Sequence, residues 1–184
     1  MFASERVRAA AILAGVVVAC ALPGAAVLAQ THGSALVAQE SDAPLRLTVP
    51  VAGVPRASIR NTFADRRGAQ AHGALDIPAA RGTPVLAAAP GTVVKLFTSA
   101  AGGLTIYEFD TERRYALYYA HLDRYAASVK EGKQVTRGEI IGYVGSTGNA
   151  APDAPHLHFA VFRLGPGKEW WKGTAVDAFG WLSD

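Results

Sequence analysis

The chain has 184 residues, half of them hydrophobic and 18% charged, a balance that supports one packed domain and excludes bulk disorder. Its formal net charge is only +3, and no basic stripe with interleaved aromatics is present, which excludes nucleic-acid binding as its role. The single cysteine, Cys20, sits in the N-terminal segment, so the rest of the chain has no disulfide framework and no thiol chemistry.

In chain order, the first element is an export segment. MFASERVR supplies Arg6 and Arg8, and an uncharged run from Ala9 to Ala29 follows, interrupted by Pro23-Gly24 and ending in Val27-Leu28-Ala29. Residues 1–29 therefore read as a signal peptide cut after Ala29. Two alternatives keep the same consequence of export. About 20 apolar residues also suffice for an uncleaved membrane anchor, and Val17-Val18-Ala19-Cys20 resembles a lipoprotein signal that would lipidate Cys20. Cleavage after Ala29 removes Glu5, Arg6 and Arg8 and lowers the formal charge from +3 to +2, a small positive balance compatible with an anionic cell wall. Residues 30–44, QTHGSALVAQESDAP, are polar, small and aperiodic and read as a linker in which His32 is simply solvated.

A domain over residues 45–184 follows, with LRLTVPVAGV as its first short extended segment. TPVLAAA, GTVVKLF, LTIYEFD, RYALYYAHL, GEIIGYVG and HLHFAVFRL are short β-rich runs separated by the turn signals AAPG, TSAAGG and DTERR. LTIYEFD and RYALYYAH form the arms of a hairpin turning at Thr111 to Arg113. Helical periodicity is confined to a turn near Leu122–Ala127 and another near Phe179–Ser183. The fold class is all-β, with antiparallel neighbours because the connections are too short for helical crossovers.

The chemistry-bearing residues fall in three of these runs. His72 stands in AHGALDI with Asp76 four residues on, His121 closes YALYYAH, and His156 and His158 stand two apart in PHLHFAV. Residues two apart on a strand face the same side, roughly 6 to 7 Å from each other. Each signal has a plainer account: a hydrogen-bonded rim histidine for His121, chance spacing for His-x-His and for His-x3-Asp. Taken together they favour a site, because every histidine of the domain belongs to one of the three segments. A catalytic zinc takes three His or carboxylate ligands at about 2.0 to 2.2 Å and leaves a fourth position open. A spare imidazole, titrating near 6.5, then moves the proton.

HGALD, YYAHL and HLHF in this order, with GTPVLAAAPGTVV and VKEGKQVTRGEIIGYVGSTGNA between them, resemble the lysostaphin/LytM-type zinc metallopeptidases over roughly Leu45 to Leu182. The resemblance implies an antiparallel sheet forming an open groove, with one Zn2+ per domain held by His72, Asp76 and His158. It implies that His121 and His156 are catalytic, His156 as general base and His121 orienting the water or stabilising the oxyanion. It also implies a metalloendopeptidase hydrolysing peptidoglycan cross-links or stems, which the export segment places in the periplasm or cell envelope, with membrane association through the N-terminal segment as the alternative to its cleavage.

Two departures stand out. Gly73 follows His72 directly, with Ala74 where the family carries glycine, and Ala160 replaces a frequent glutamate on the histidine face of the strand. Two rival classes are weaker. A catalytically silent relative that activates a cell-wall amidase would have lost ligands, whereas all five residues stand here. A lipoyl-type carrier, suggested by the rhythm of VKEGKQVTRGEIIG, lacks a lysine at a hairpin tip.

Further features have two readings each. Gly142, Gly145 and Gly148 are either close backbone approaches or hairpin punctuation, and Asn149 to Pro155 forms a loop walling the groove. Trp170 and Trp171 read as packed surface aromatics, with sugar stacking as the alternative. Arg66 and Arg67 read as a solvated pair, with a substrate carboxylate as the alternative.

Overall fold

Alternating apolar residues make strands throughout the computed structural model, which describes residues 43–184. The expected export segment over 1–29, and all of the expected linker but Ala43 and Pro44, lie outside the described residues. The strands are β1 (Leu47–Thr48), β2 (Arg66–Arg67), β3 (Gln70–Ala71), β4 (Leu75–Pro78), β5 (Pro84–Leu86), β6 (Gly91–Ser99) and β7 (Gly103–Asp110). They continue with β8 (Tyr115–Tyr125), β9 (Gln134–Val135), β10 (Ile140–Val144), β11 (His156–Leu164), β12 (Gly173–Val176) and β13 (Leu182–Ser183). Among the described residues the only helical pieces are two 3-10 turns, Arg56–Ser58 and Phe179–Trp181.

Nine strands form one sheet in the order β12-β11-β8-β7-β6-β9, with β4 paired to β11, β10 to β8 and β5 to β10. Every pairing in it is antiparallel, as the short connections require. β1 and β13 pair in parallel, joining the two ends of the described chain through Leu47 and Leu182.

The expected hairpin is the β7–β8 pair. Its turn places Arg113 at φ 54°, and the Asp110 carboxylate accepts the N–H of Tyr115 at 2.7 Å.

Strand alternation divides the central residues between two faces. Ile106, Leu117, Tyr119, Leu157 and Phe159 are fully or almost fully buried in the main core, and each such side chain contributes about 1.5–3 kcal/mol by leaving water. Tyr107, Tyr118, Ala120, His156 and His158 belong to the opposite face. That face carries a second, smaller cluster in which Phe109, Ala116 and Leu164 are covered by Val94, Phe162 and Trp170.

Two expectations are corrected here. Leu122–Ala127 is not a helical turn: β8 runs on to Tyr125, pairing with β10, and the turn comes later, where the N–H of Val129 donates to Ala126 O. Nor does β8 end at His121. It bulges there, because Leu104 and Ile106 of β7 face Leu122 and Tyr119, so one residue of β7 opposes two of β8. His121 takes up the extra residue with φ 60°, and a bulge of this kind re-aims a side chain.

Candidate metal centre

The site is assembled from a strand pair, a loop and a bulge. β4 and β11 pair so that Asp76 lies directly opposite His158, which places two side chains from distant parts of the chain on the same face as near neighbours. His72 arrives from the bend preceding β4. Its N–H donates to Asp65 O at 2.7 Å, the N–H of Gly73 donates to Phe63 O at 2.9 Å, and Gly73 turns the chain with φ 70°. The displaced glycine thus supplies the bend, and Ala74 is free to be buried.

Thr62 pins this bend. Its buried hydroxyl donates to Ala74 O at 3.0 Å and accepts the N–H of Asp76 at 2.9 Å. Sequence reasoning missed Thr62, since a lone threonine in RNTFADRR carries no signal of a role.

Three ligand-type atoms converge. His72 Nε2 lies 3.2 Å from Asp76 Oδ1 and 3.1 Å from His158 Nδ1, and His158 Nδ1 lies 3.1 Å from the same Oδ1. Among the described residues they form the one group able to hold a metal ion. His72 Nδ1 donates to Thr62 O at 3.2 Å, so its Nε2 is a bare lone pair facing a carboxylate oxygen. Two acceptors held this close repel unless a cation stands between them. The edges of about 3.1 Å also approach the roughly 3.4 Å separation of donors at about 2.1 Å around a tetrahedral ion. Donor chemistry and spacing both fit a divalent metal.

His156 and His121 stand beside this triangle. His156 Nε2 lies 3.8 Å from Asp76 Oδ1, with its Nδ1 donating to Ala154 O at 2.9 Å. His121, only 6% exposed, donates from Nδ1 to Thr147 O at 2.8 Å. Its ring centroid is 5.0 Å from that of His156 and 5.5 Å from that of His158. Main-chain carbonyls therefore fix both tautomers and leave both Nε2 atoms able to accept a proton.

Electrostatics follow from burial and contact. Burial is the largest influence on His72 and His121 and moves both imidazoles below their ordinary pKa, against the pull of the Asp76 charge. For Asp76, burial acts upward, but the His158 hydrogen bond and the nearby His72, His158 and His156 charges together hold the carboxyl below its ordinary range. Asp76 Oδ2 is taken by Arg67 Nη2 at 2.7 Å. The reading of Arg67 as a solvated side chain is thereby corrected, because the short β2–β3 hairpin delivers it to the carboxylate.

An open cleft of about 460 Å³ fronts these groups, within the size range of ligand sites. Its walls include Ala101 and Gly102 from the β6–β7 turn, Tyr118 from β8, and Asn149 to Ala151 from the loop expected to wall the groove. Gly145 and Gly148 are close approaches rather than plain punctuation. A Cβ on Gly145 would stand 2.4 Å from Asp123 N, and one on Gly148, where φ is 76°, would stand 2.3 Å from Gly103 N. Ala160 is buried on the histidine face opposite Tyr118.

All five residues singled out in the sequence thus meet at one cleft on an antiparallel β-sheet, the arrangement of a metal-dependent hydrolase. Residues 70–178 match the model of Peptidase family M23, and the chain belongs to that family. It is 35% identical over 121 residues to an L-Ala--D-Glu endopeptidase of Bacillus subtilis (strain 168), covering 61% of this chain and 37% of that protein. It is 37% identical over 90 residues to the peptidoglycan DD-endopeptidase ShyC of Vibrio cholerae serotype O1, covering 49% of this chain and 20% of that protein. The chain spans well under half the length of these relatives. Among solved structures, the catalytic domain of lysostaphin from Staphylococcus simulans superposes with a TM-score of 0.56 at 30% identity, over 66% of this chain and 89% of that one.

Proposed function

We propose that this protein is an exported zinc metalloendopeptidase that hydrolyses peptide bonds of bacterial peptidoglycan, with residues 45–184 as the catalytic domain. The observation that carries this reading is the triangle of His72 Nε2, Asp76 Oδ1 and His158 Nδ1 with two further imidazoles beside it. Membership of a peptidase family and the peptidoglycan endopeptidases among its relatives support the same substrate class.

In this reading His72, Asp76 and His158 would hold the ion. The chemistry a zinc ion would supply there is that of a Lewis acid, acidifying water towards a pKa of about 7 and polarising the scissile carbonyl. His156 Nε2 takes the proton from the attacking water and returns it to the leaving amine. His121, whose Nδ1–H is held by Thr147 O, orients the water by accepting a hydrogen bond from it at Nε2, and with a proton taken there from that water it stabilises the developing oxyanion. Arg67 holds Asp76 through Oδ2, which leaves Oδ1 facing His72 Nε2 and His158 Nδ1.

A signal peptide over 1–29 and a linker over 30–44 precede the catalytic domain in this reading, and N-terminal sequencing of the exported protein checks the cut after Ala29. Metal analysis of the purified protein and digestion of defined peptidoglycan test the main reading. One zinc per chain with release of cross-linked fragments is expected. A zinc-free protein that releases nothing, yet stimulates an amidase, would replace it with the activator reading.

A further inference from the structure

An unbroken series of aromatic rings leads away from the metal centre across the open face of the sheet. Tyr118, in the wall of the cleft, has its ring centroid 6.0 Å from that of His158 and 4.7 Å from that of Tyr107. Tyr107 is 4.8 Å from Trp170, which lies 5.5 Å from Phe97 and 5.3 Å from Trp171. Trp170 folds down from the β11–β12 turn onto the second hydrophobic cluster, so packing accounts for it. Packing does not account for the last two rings: Phe97 is 40% and Trp171 63% exposed.

Chemistry and distance define what these rings suit. Two exposed rings are far too small for a protein interface, which covers about 800 Å² per partner. They match the apolar C–H face of a sugar ring, which an aromatic face covers while the hydroxyls at its edge stay in water. A charged group flanks Trp171, the 78% exposed side chain of Lys172. From β11, which carries His158, to β6, which carries Phe97, there are three strand spacings, about 14 Å. An extended peptide of four residues spans that gap at roughly 3.3–3.6 Å each. In peptidoglycan the stem peptide hangs from the sugar by its N-terminal end.

We infer that Phe97 and Trp171 form a platform for the glycan of the substrate, placing the cleaved bond about four residues from the sugar, at the cross-link end of the stem. The inference rests on the proposed peptidoglycan hydrolysis and adds to it the partner of the aromatic strip and the register of the cut. A peptide cut beside the sugar would leave the platform unreachable.

The test compares one cross-linked stem dimer with its disaccharides attached and the same dimer after their enzymatic removal, using the full exported chain loaded with zinc. The sugar-bearing substrate is expected to show about tenfold higher kcat/KM, the factor for covering roughly one ring face. Trp171→Ala should bring that ratio to about one, and each ratio is internal to one protein, so a partly folded variant does not imitate the effect. Mass spectrometry should place the cut at the cross-link. A wild-type ratio of one, an unchanged ratio in Trp171→Ala, or a cut at the first stem bond would overturn the platform. If neither substrate is cut, the proposed hydrolysis fails instead. The platform is then decided by binding of peptide-free glycan strands, followed by tryptophan fluorescence: saturable binding lost in Trp171→Ala supports it, and no binding overturns it.

Discussion

Glu108 is fully buried on β7, with Oε2 accepting the Tyr119 hydroxyl at 2.7 Å and Oε1 without any hydrogen-bond partner among the described residues. Burial pushes its carboxyl pKa up to about 8, with Asp110 and Glu139 adding to the rise and the Tyr119 hydrogen bond opposing it. A carboxyl whose pKa is higher folded than unfolded binds more protons when folded. Its contribution is therefore complete below the unfolded value near 4.5 and is lost as pH rises to about 8. The whole interval corresponds to about 5 kcal/mol at 1.36 kcal/mol per pH unit, and its portion from pH 5 to 7.5 to about 3 kcal/mol, a large share of ordinary domain stability. Glu108→Gln removes this titration while keeping a carbonyl for Tyr119 to donate to. Its buried amide N–H2 costs about 1–3 kcal/mol at every pH. Urea unfolding of both proteins with zinc held constant should show wild type losing stability to Glu108→Gln by about 3 kcal/mol between pH 5 and 7.5. The depressed His72 and His121 act with the opposite sign, gaining stability as pH rises towards 6.5, but they are common to both proteins and cancel in the difference. Parallel stability curves would refute the reasoning.

The proposed roles at the metal centre predict different outcomes for different variants. His158→Ala and Asp76→Ala should lose zinc, whereas His156→Ala should keep one zinc per chain and lose about 10²–10⁴ in turnover; equal zinc loss in all three defeats the assignment. Arg67→Ala should weaken zinc binding about 10–100-fold in a chelator competition, as expected for removing the group that orients a ligand, and unchanged affinity would reduce its ion pair to a surface contact. Gly148→Ala, forced against Gly103 N and Ala101 O at φ 76°, should cost about 1–3 kcal/mol in chemical unfolding, and wild-type stability would show that the loop yields.

What the sequence discloses here is what local periodicity encodes. Alternation in HLHFAV puts His156 and His158 on one face, and the short connections require antiparallel pairing, both as observed. The opposition of Asp76 and His158 was not readable, because register between strands 82 residues apart is set by packing of the two faces and not by either segment. Leu122 to Ala127 reads as a helical turn, and Leu122, Arg124, Ala126 and Ala127 are good helix formers, but pairing of β8 with β10 as far as Tyr125 overrides so short a preference. Arg67 looked solvated because nothing in ADRRGAQ announces a hairpin folding back on Asp76.

The bulge at His121 explains why alternation alone would misplace a catalytic candidate. Strict alternation from Leu117 and Tyr119 sends residue 121 into the main core, where an imidazole has no partner. The extra residue turns it to the cleft instead, at a cost of about 1–2 kcal/mol for a left-handed non-glycine backbone. Two hydrogen bonds offset that cost: His121 N–H to Gly102 O and Nδ1–H to Thr147 O, both 2.8 Å. Their acceptors belong to the β6–β7 turn and the 145–150 loop, which are themselves pressed together where Gly103 meets Gly148. His121 and His156 are thus both oriented through Nδ1 by main-chain carbonyls, of Thr147 and Ala154. Asp76 remains the one carboxylate touching the donor triangle, and Arg67 already balances its charge. The donor set His72, Asp76 and His158 thus carries one carboxylate charge, itself paired with a guanidinium, and would leave a divalent ion bound there a net positive charge.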